Sequence, residues 1–561
     1  MSGRFSLSLI SAILLLVPTK TLASNKGTIV VPDLTKSPSF FELFHKNYSD
    51  DLNLRIMHEG RVRIWPLGTV MIDGFDWRRH SRTDRSFWQR MEDFRYLLSL
   101  MASTEERDKQ FVRRWVIGWL DVHESDEEPN KGATNGMTVG IRCMIFVWYL
   151  KQLQNRGNKN DSLVERLRES IGWHQEYLTD YYYPTSNHAM WESMGLFETT
   201  RVHADSALTR LALDRLLEIV SLSVSEQGLH KEHSTAYHFY FLRWLSDYVG
   251  YLKSLDMSYW AGLPILVNHE KNMHKASYFC YDHDRRLPQI GDTDDLRLDD
   301  VYTFRRRRTR SAAIFDEDAG LAVFKDPPHS RYKRYIVYCI QKENPKLRFH
   351  YHDDAQAVYY SYDGEIILSD QGRYSYSIDR ARRYFRSAVA HNIVFPATTV
   401  GGVRLCSYAK NTWCREDRQK VRFGSTMRDS SVTRVVDVPK GRGVFDVLDT
   451  IHGNEEYLAF WHIGPDVESI AEIDHGSVES GGWRRYAWRL TTRKRREFLL
   501  AIEVFGEGGS RDKPLIIKGL PNPMLGWYSS GYNVSLPATV IAMMINVAGR
   551  SQLRTSVAIE R

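Results

Sequence analysis

The spacing of apolar residues changes once along this 561-residue chain, and that change constrains the fold more than any other feature. Between about residues 40 and 281 they recur every three or four positions, as in Phe87, Trp88, Met91, Phe94, Leu97 and Leu98, or Phe111, Trp115, Val116, Trp119 and Leu120. That is the period of a helix with one buried face. Similar segments at about 138–154, 163–182, 189–201, 206–222, 234–255 and 258–277 are separated by short polar or Gly/Pro/Asn breaks, which predicts antiparallel helix pairs. After the basic stretch Arg305 to Arg308 the pattern shifts to short β-branched and aromatic runs, such as Tyr335 to Ile340 and Ala357 to Tyr362. These are strand signals, and Asp363-Gly364 marks a tight hairpin. The runs continue to Val557-Ala558-Ile559, so the expectation is a multidomain α + β chain: a helical half, then an antiparallel β-sheet half, with the change near 310–320.

The N-terminus bears on location. Arg4 precedes an apolar stretch from Leu7 to Val17, followed by Pro18 and the small-residue site Thr21-Leu22-Ala23. This reads as a secretory signal peptide covering residues 1–23, and it predicts a periplasmic or secreted protein. No later apolar run reaches the length of a membrane span, so no integral segment is expected after cleavage. The formal charge of +7 falls to +5 when Arg4 and Lys20 leave, which keeps a bias toward acidic partners. Export turns that bias away from nucleic acid and toward an acidic polysaccharide. Five cysteines without CxxC spacing encode neither a cysteine-zinc site nor a disulfide framework, though Cys406 and Cys414 are close enough in sequence for a local bridge.

Polar clusters embedded in apolar sequence need a reason, because unpaired ionisable groups are costly to bury. The first holds Ser186, Asn187, His188 and Glu192; the second Glu232, His233, Tyr237 and His238; the third Gly291, Asp292, Thr293 and Asp294. A fourth, in the β half, runs through His350, His352 and Asp353 to Asp370 and then His391-Asn392. His350 and His352 share a face if the segment is extended. His352, Asp370 and His391 would make a nitrogen and oxygen shell suited to zinc, or equally a set of hydrogen-bonded core polar residues. Asn187 and His188 at a helix entrance serve either a ligand or a helix cap. Glu192 stands one turn beyond His188, where it could orient that imidazole or lie on the surface.

In order and company these motifs resemble the heparinase II/III-like polysaccharide lyases. The succession is Asn187-His188, Glu226-Gln227-Gly228 with Glu232, Tyr237-His238, Gly291-Asp292-Thr293-Asp294, His350-Tyr351-His352-Asp353, Asp370-Gln371-Gly372-Arg373-Tyr374, and Arg383-Tyr384 with Ala390-His391-Asn392. Departures are His233 where Gln is common, Leu296 where Gly is common, and Phe395-Pro396 after the His-Asn pair. The resemblance implies an incomplete (α/α) toroid over residues 24–315 and an antiparallel β-sheet (β-sandwich) domain over 316–561. It also implies cleavage of a uronic-acid polysaccharide by β-elimination in the cleft between them.

The chemistry asks for groups that blunt the uronate charge before the C5 proton leaves, and for an acid and a base. The resemblance gives the first task to Asn187 and His188, and acid/base work to Tyr237, with His350 as an alternative base on the other sugar face. For Tyr237 to act as base its phenol must be lowered, by His238 or His350. Substrate contacts are expected from Glu192, His238, Tyr374 and Arg383, with Arg382 and Arg386 as neighbours able to bind anionic groups in the same cleft. His352, Asp370 and His391 are assigned to zinc in a structural role. Two other classes stay open. A glycoside hydrolase would use carboxylates among Glu192, Glu232, Asp292 and Asp294, and a non-catalytic polysaccharide-binding protein would keep the cleft without turnover. The particular polymer and the oligomeric state leave no mark in the residues.

Overall fold

The computed structural model describes residues 29–560 apart from 65–66, 73–74, 78–84, 124–134, 158–160, 303–311, 343–349, 378, 400–407, 429, 479–482 and 507–512. The expected signal peptide, the Arg305 to Arg308 run and Cys406 lie outside the described residues.

Among the described residues, eight longer helices dominate the N-terminal half: α1 (Arg85–Glu92), α2 (Glu106–His123), α3 (Gly136–Asn155), α4 (Ser162–Asp180), α5 (His188–Thr200), α6 (Ser206–Ser223), α7 (Thr235–Ser254) and α8 (Gly262–Ala276). Their starts follow from short polar caps. The side chains of Asn135, Asp161, Asp205 and Ser234 accept first-turn N–H groups of α3, α4, α6 and α7. Helices α3 and α5 are buried on nearly every side, matching sequences that are apolar all round rather than striped. They can cross closely because a Cβ on Gly195 would fall 2.5 Å from the Gly140 Cα. No helix of the described residues is long and apolar enough to cross a membrane.

The first sheet of the C-terminal half is antiparallel and sequential: β1 (Ala313–Asp316), β2 (Leu321–Lys325), β3 (Arg334–Cys339), β4 (Val358–Tyr362) and β5 (Glu365–Leu368). Asp363 and Gly364 both take positive φ, 49° and 83°, as a two-residue turn between β4 and β5 requires. An eight-stranded sheet runs from Val467–Val478 at one edge to Ala409–Glu416 at the other, and a four-stranded sheet includes Val394–Pro396 and Glu456–His462.

Strand β3 shows how the layers stack. All six of its residues are buried, so neither face meets water. Ile336 and Tyr338 pack with Val436, Val447, Trp488 and Leu500 of the eight-stranded sheet. Tyr335, Val337 and Cys339 alternate to the other face and pack with Leu229, Phe239, Phe279 and Ile290 of the helical half. The five-stranded sheet is thus the middle layer. The entrances of α5 and α7, residues 288–295, the loop from His350, the segment after β5 and the short helix α9 (Arg380–Arg386) meet along its helical side.

Candidate active site

A chain of buried charges runs through this junction. Asn187 at the entrance of α5 donates its backbone N–H to Glu232 Oε1 and its side-chain Nδ2 to Glu232 Oε2, both at 2.9 Å. Glu232 is fully buried, which by itself would raise its pKa. Contacts from His350, His230 and Asn187 instead hold it down at about 2. His350 Nε2 lies 3.4 Å from Glu232 Oε2, and its Nδ1 lies 2.9 Å from Asp292 Oδ2. Burial acts to lower the His350 pKa, but the two carboxylates win and raise it, so this ring favours the imidazolium. Asp292 in turn meets His352 Nε2 at 3.0 Å and the Arg382 guanidinium at 2.6 Å. Despite its burial it is held well below the usual carboxylate range, by Arg382 and the two imidazoles.

Tyr237, in the first turn of α7, lies on this chain. Its ring stacks on His350 with centroids 3.6 Å apart, and its hydroxyl is 2.8 Å from that of Tyr376. Arg373 donates from Nη1 to the Tyr376 oxygen at 2.9 Å, and grips Asp294 through Nε at 2.9 Å and Nη2 at 2.5 Å. Arg382 fixes the same segment by donating to the Arg373 carbonyl at 2.7 Å. Arg90 of α1 is close enough to feel both phenols electrostatically.

The structure corrects several expectations. The Tyr237 phenol is raised well above its ordinary value rather than lowered: burial dominates, Tyr376 adds to it, and only Arg373 opposes it strongly. His350 lies under the ring instead of beside the hydroxyl. His238, one residue along the helix and so turned away, is buried against Ser277 Oγ at 2.9 Å and pushed down to about 3 by burial. Glu192 is 2% exposed, with its carboxylate accepting from the Tyr183 N–H, so it does not lie on the surface. Tyr374 stacks on Phe385 in a small satellite core. Arg383 is exposed, while its neighbour Arg382 reaches the site. His188 is half-buried at the start of α5, where its N–H is received by Ser186 Oγ at 3.1 Å.

Tyr376 is the residue that sequence reasoning missed. Strict alternation places residues 374 and 376 on one face, but Tyr374 takes φ of 63°, which breaks the extended pattern and sends the two rings to different surroundings. The signal lay in the repeated Tyr of Tyr374-Ser375-Tyr376, without a way to choose between them.

The expected metal ligands do converge. One donor atom each from His352, Asp370 and His391 lie within 4.8 Å of one another, all buried. Among the described residues His352 Nδ1, Asp370 Oδ1 and His391 Nε2 have no hydrogen-bond partner, while their opposite atoms are held by Asp292 and by the 2.9 Å His391–Asp370 bond. Burial keeps His352 neutral, its pKa down to about 4. A ligand set with its outer hydrogen bonds made and its inner lone pairs unsatisfied fits a divalent metal.

Comparison with known proteins gives the same direction. Residues 308–558 match the family described as Heparinase II/III-like, C-terminal. Among solved structures, heparinase III superposes with a TM-score of 0.68 at 13% identity, covering 86% of this chain and 78% of that one. A mutant of the heparan sulfate lyase HepC from Pedobacter heparinus gives 0.63 at 14%, covering 94% and 86%. No curated protein matches by sequence. At these identities the structural likeness establishes the fold, an (α/α) toroid leading into antiparallel sheets. Residues 308–558 thus match a heparinase II/III-like C-terminal domain, and the chain as a whole has the fold of heparinase III.

Proposed function

We propose that this protein cleaves a uronic-acid polysaccharide by β-elimination, with Tyr237 and Tyr376 as its proton-transfer pair. The observation that carries the reading is the 2.8 Å contact between the two hydroxyls, with Arg373 donating to the second. Tyr237 stays protonated at rest, which suits an acid. Tyr376 is raised too, but it is 39% exposed and Arg373 and Arg382 oppose the rise, so Tyr376 is the better place for a transient negative charge. In the reaction Tyr376 first releases its phenolic proton to solvent, the phenolate being held by Arg373 and Arg382; it then takes the C5 proton, the C4–O4 bond breaks as a C4–C5 double bond forms, and Tyr237 protonates O4. The proton gained by Tyr376 then restores Tyr237 through their hydrogen bond.

Asn187 and His188 are assigned to the uronate carboxylate. Glu232 holds one amide hydrogen of Asn187, leaving the second as a donor of fixed direction. His350, expected as an alternative base, enters this mechanism as a cation beneath the Tyr237 ring. Arg90, Arg373 and Arg382 supply the positive surroundings an acidic polymer needs. A zinc ion on His352, Asp370 and His391 would act as a structural cross-link, and Asp292 would pass the order of His352 on to His350 and Arg382. The reading is completed by export through residues 1–23, with the toroid domain at 24–315 and the sheet domain at 316–561.

The hydrolase alternative is disfavoured by the carboxylates themselves. Glu232 is tied to Asn187, Asp292 to Arg382, Asp294 to Arg373, and Glu192 is buried under the Tyr183 backbone. The deciding experiment incubates the protein with heparan-type, chondroitin, hyaluronan, alginate and bacterial uronate polymers and follows the absorbance of 4,5-unsaturated ends. Appearance of such ends supports the lyase. Saturated products or tight binding without product would overturn it in favour of a hydrolase or a binding protein.

A further inference from the structure

A second buried ligand set lies beside the first, where the helical half meets the middle sheet. His233 is in the turn before α7, Cys339 ends β3, and Asp354 follows in the loop after His350; none of the three is exposed. One donor atom from each falls within 4.8 Å of the others. Strand alternation explains the cysteine: Cys339 shares the face of Tyr335 and Val337, which is turned to the helical half.

The hydrogen bonding around these residues is arranged from outside. His233 Nδ1 faces the Ala319 carbonyl at 3.5 Å, where Gly320, with φ of 72°, leaves the room a side chain would take. Asp354 Oδ1 accepts from Gln341 Nε2. The inner atoms, His233 Nε2 and Asp354 Oδ2, are buried without hydrogen-bond partners among the described residues. They stand 3.4 Å apart. A charged hydrogen bond between such groups would close to about 2.7–2.9 Å. Two ligands on one tetrahedral ion, each bonded at about 2.0–2.1 Å, are separated by roughly 3.4 Å.

We propose that His233 Nε2, Cys339 Sγ and Asp354 Oδ2 bind a second zinc-like divalent ion, which clamps the turn before α7 to the end of β3. The mixed nitrogen, sulfur and oxygen set selects a borderline-soft transition metal over calcium or magnesium. Binding displaces the Cys339 thiol proton to solvent, and three protein ligands leave one tetrahedral position for water. The site is distinct from His352, Asp370 and His391 in every ligand, although Cys339 feels the charge of both Asp354 and Asp370, which makes the two sites neighbours.

Cobalt substitution tests the proposal, because only this second site contains sulfur. The full-length protein is stripped, reloaded with cobalt(II), and examined for a near-ultraviolet thiolate-to-cobalt charge-transfer band; zinc content is measured in parallel by elemental analysis. The expected result is the band in the wild type, its loss in Cys339→Ser and in the milder His233→Gln, and its persistence in His391→Ala. Zinc should fall from two per chain to one in each variant. A wild type without the band, or a band and zinc count that Cys339→Ser leaves unchanged, would overturn it and leave a plain His233–Asp354 ion pair.

Discussion

The hydroxyl of Tyr237 lies 2.8 Å from that of Tyr376, a residue 139 positions later, so the two phenols share one hydrogen bond across the junction of the helical half and the sheets. The Tyr376 oxygen in this pair also accepts from Arg373 Nη1. General acid–base groups contribute about 10²–10⁴-fold in rate. Tyr376→Phe should therefore lower kcat by at least about 10²-fold with little change in KM, and Tyr237→Phe by as much or more. Steady-state kinetics on the best polymer would check this. A Tyr376→Phe enzyme with wild-type kcat would remove that residue from the chemistry.

Arg373 and Asp294 form a forked pair in which the guanidinium side chain is 2% exposed. Removing one member of a buried pair leaves an uncompensated charge and costs about 3–5 kcal/mol. Asp294→Asn should lower stability by that order and also reduce kcat, because Arg373 loses the partner that fixes it against Tyr376. Arg373→Lys keeps the charge but not the fork. It should recover part of the stability and little of the rate, as read by urea unfolding alongside kinetics.

Removal of metal from His352, Asp370 and His391 should act on order more than on chemistry. Chelation or His391→Ala is expected to lower Tm. It should also lower kcat, because Asp292 bridges His352 to His350 and Arg382. Zinc should restore both in the chelated wild type and neither in the variant. Equal Tm and activity with and without chelator would deny the metal a structural part.

The period change made the layered fold legible in the sequence, since helices buried on one face and strands buried on two leave different residue patterns. The turn at Asp363 and Gly364 could be read for the same reason, as only certain residues accept positive φ cheaply. His352, Asp370 and His391 were recognisable by motif and do converge. What escaped was direction. His238 is next to Tyr237 but a helix step turns it to Ser277, Arg383 is next to Arg382 but points to solvent, and Tyr374 is displaced by its own backbone. The sign of the Tyr237 shift also depended on burial, a property of the packed junction and not of neighbours in sequence.

Glu192 offers a test of burial that is independent of catalysis. Its carboxyl, 2% exposed, is pushed up from 4.5 to about 7, chiefly by desolvation, with the Tyr183 N–H and Arg215 acting the other way. The folded state therefore keeps a proton on Glu192 that the unfolded chain releases above about pH 4.5. This group's contribution to stability is fully present below that pH and is lost as pH rises toward 7, by about 3 kcal/mol in all. Glu192→Gln removes the titration while keeping the shape of the neutral acid. Urea unfolding at pH 5 and pH 8 should show the variant gaining on the wild type at the higher pH by that order. Parallel behaviour of the two proteins across the range would mean that Glu192 ionises alike in the folded and unfolded states, and that its burial is relieved by solvent.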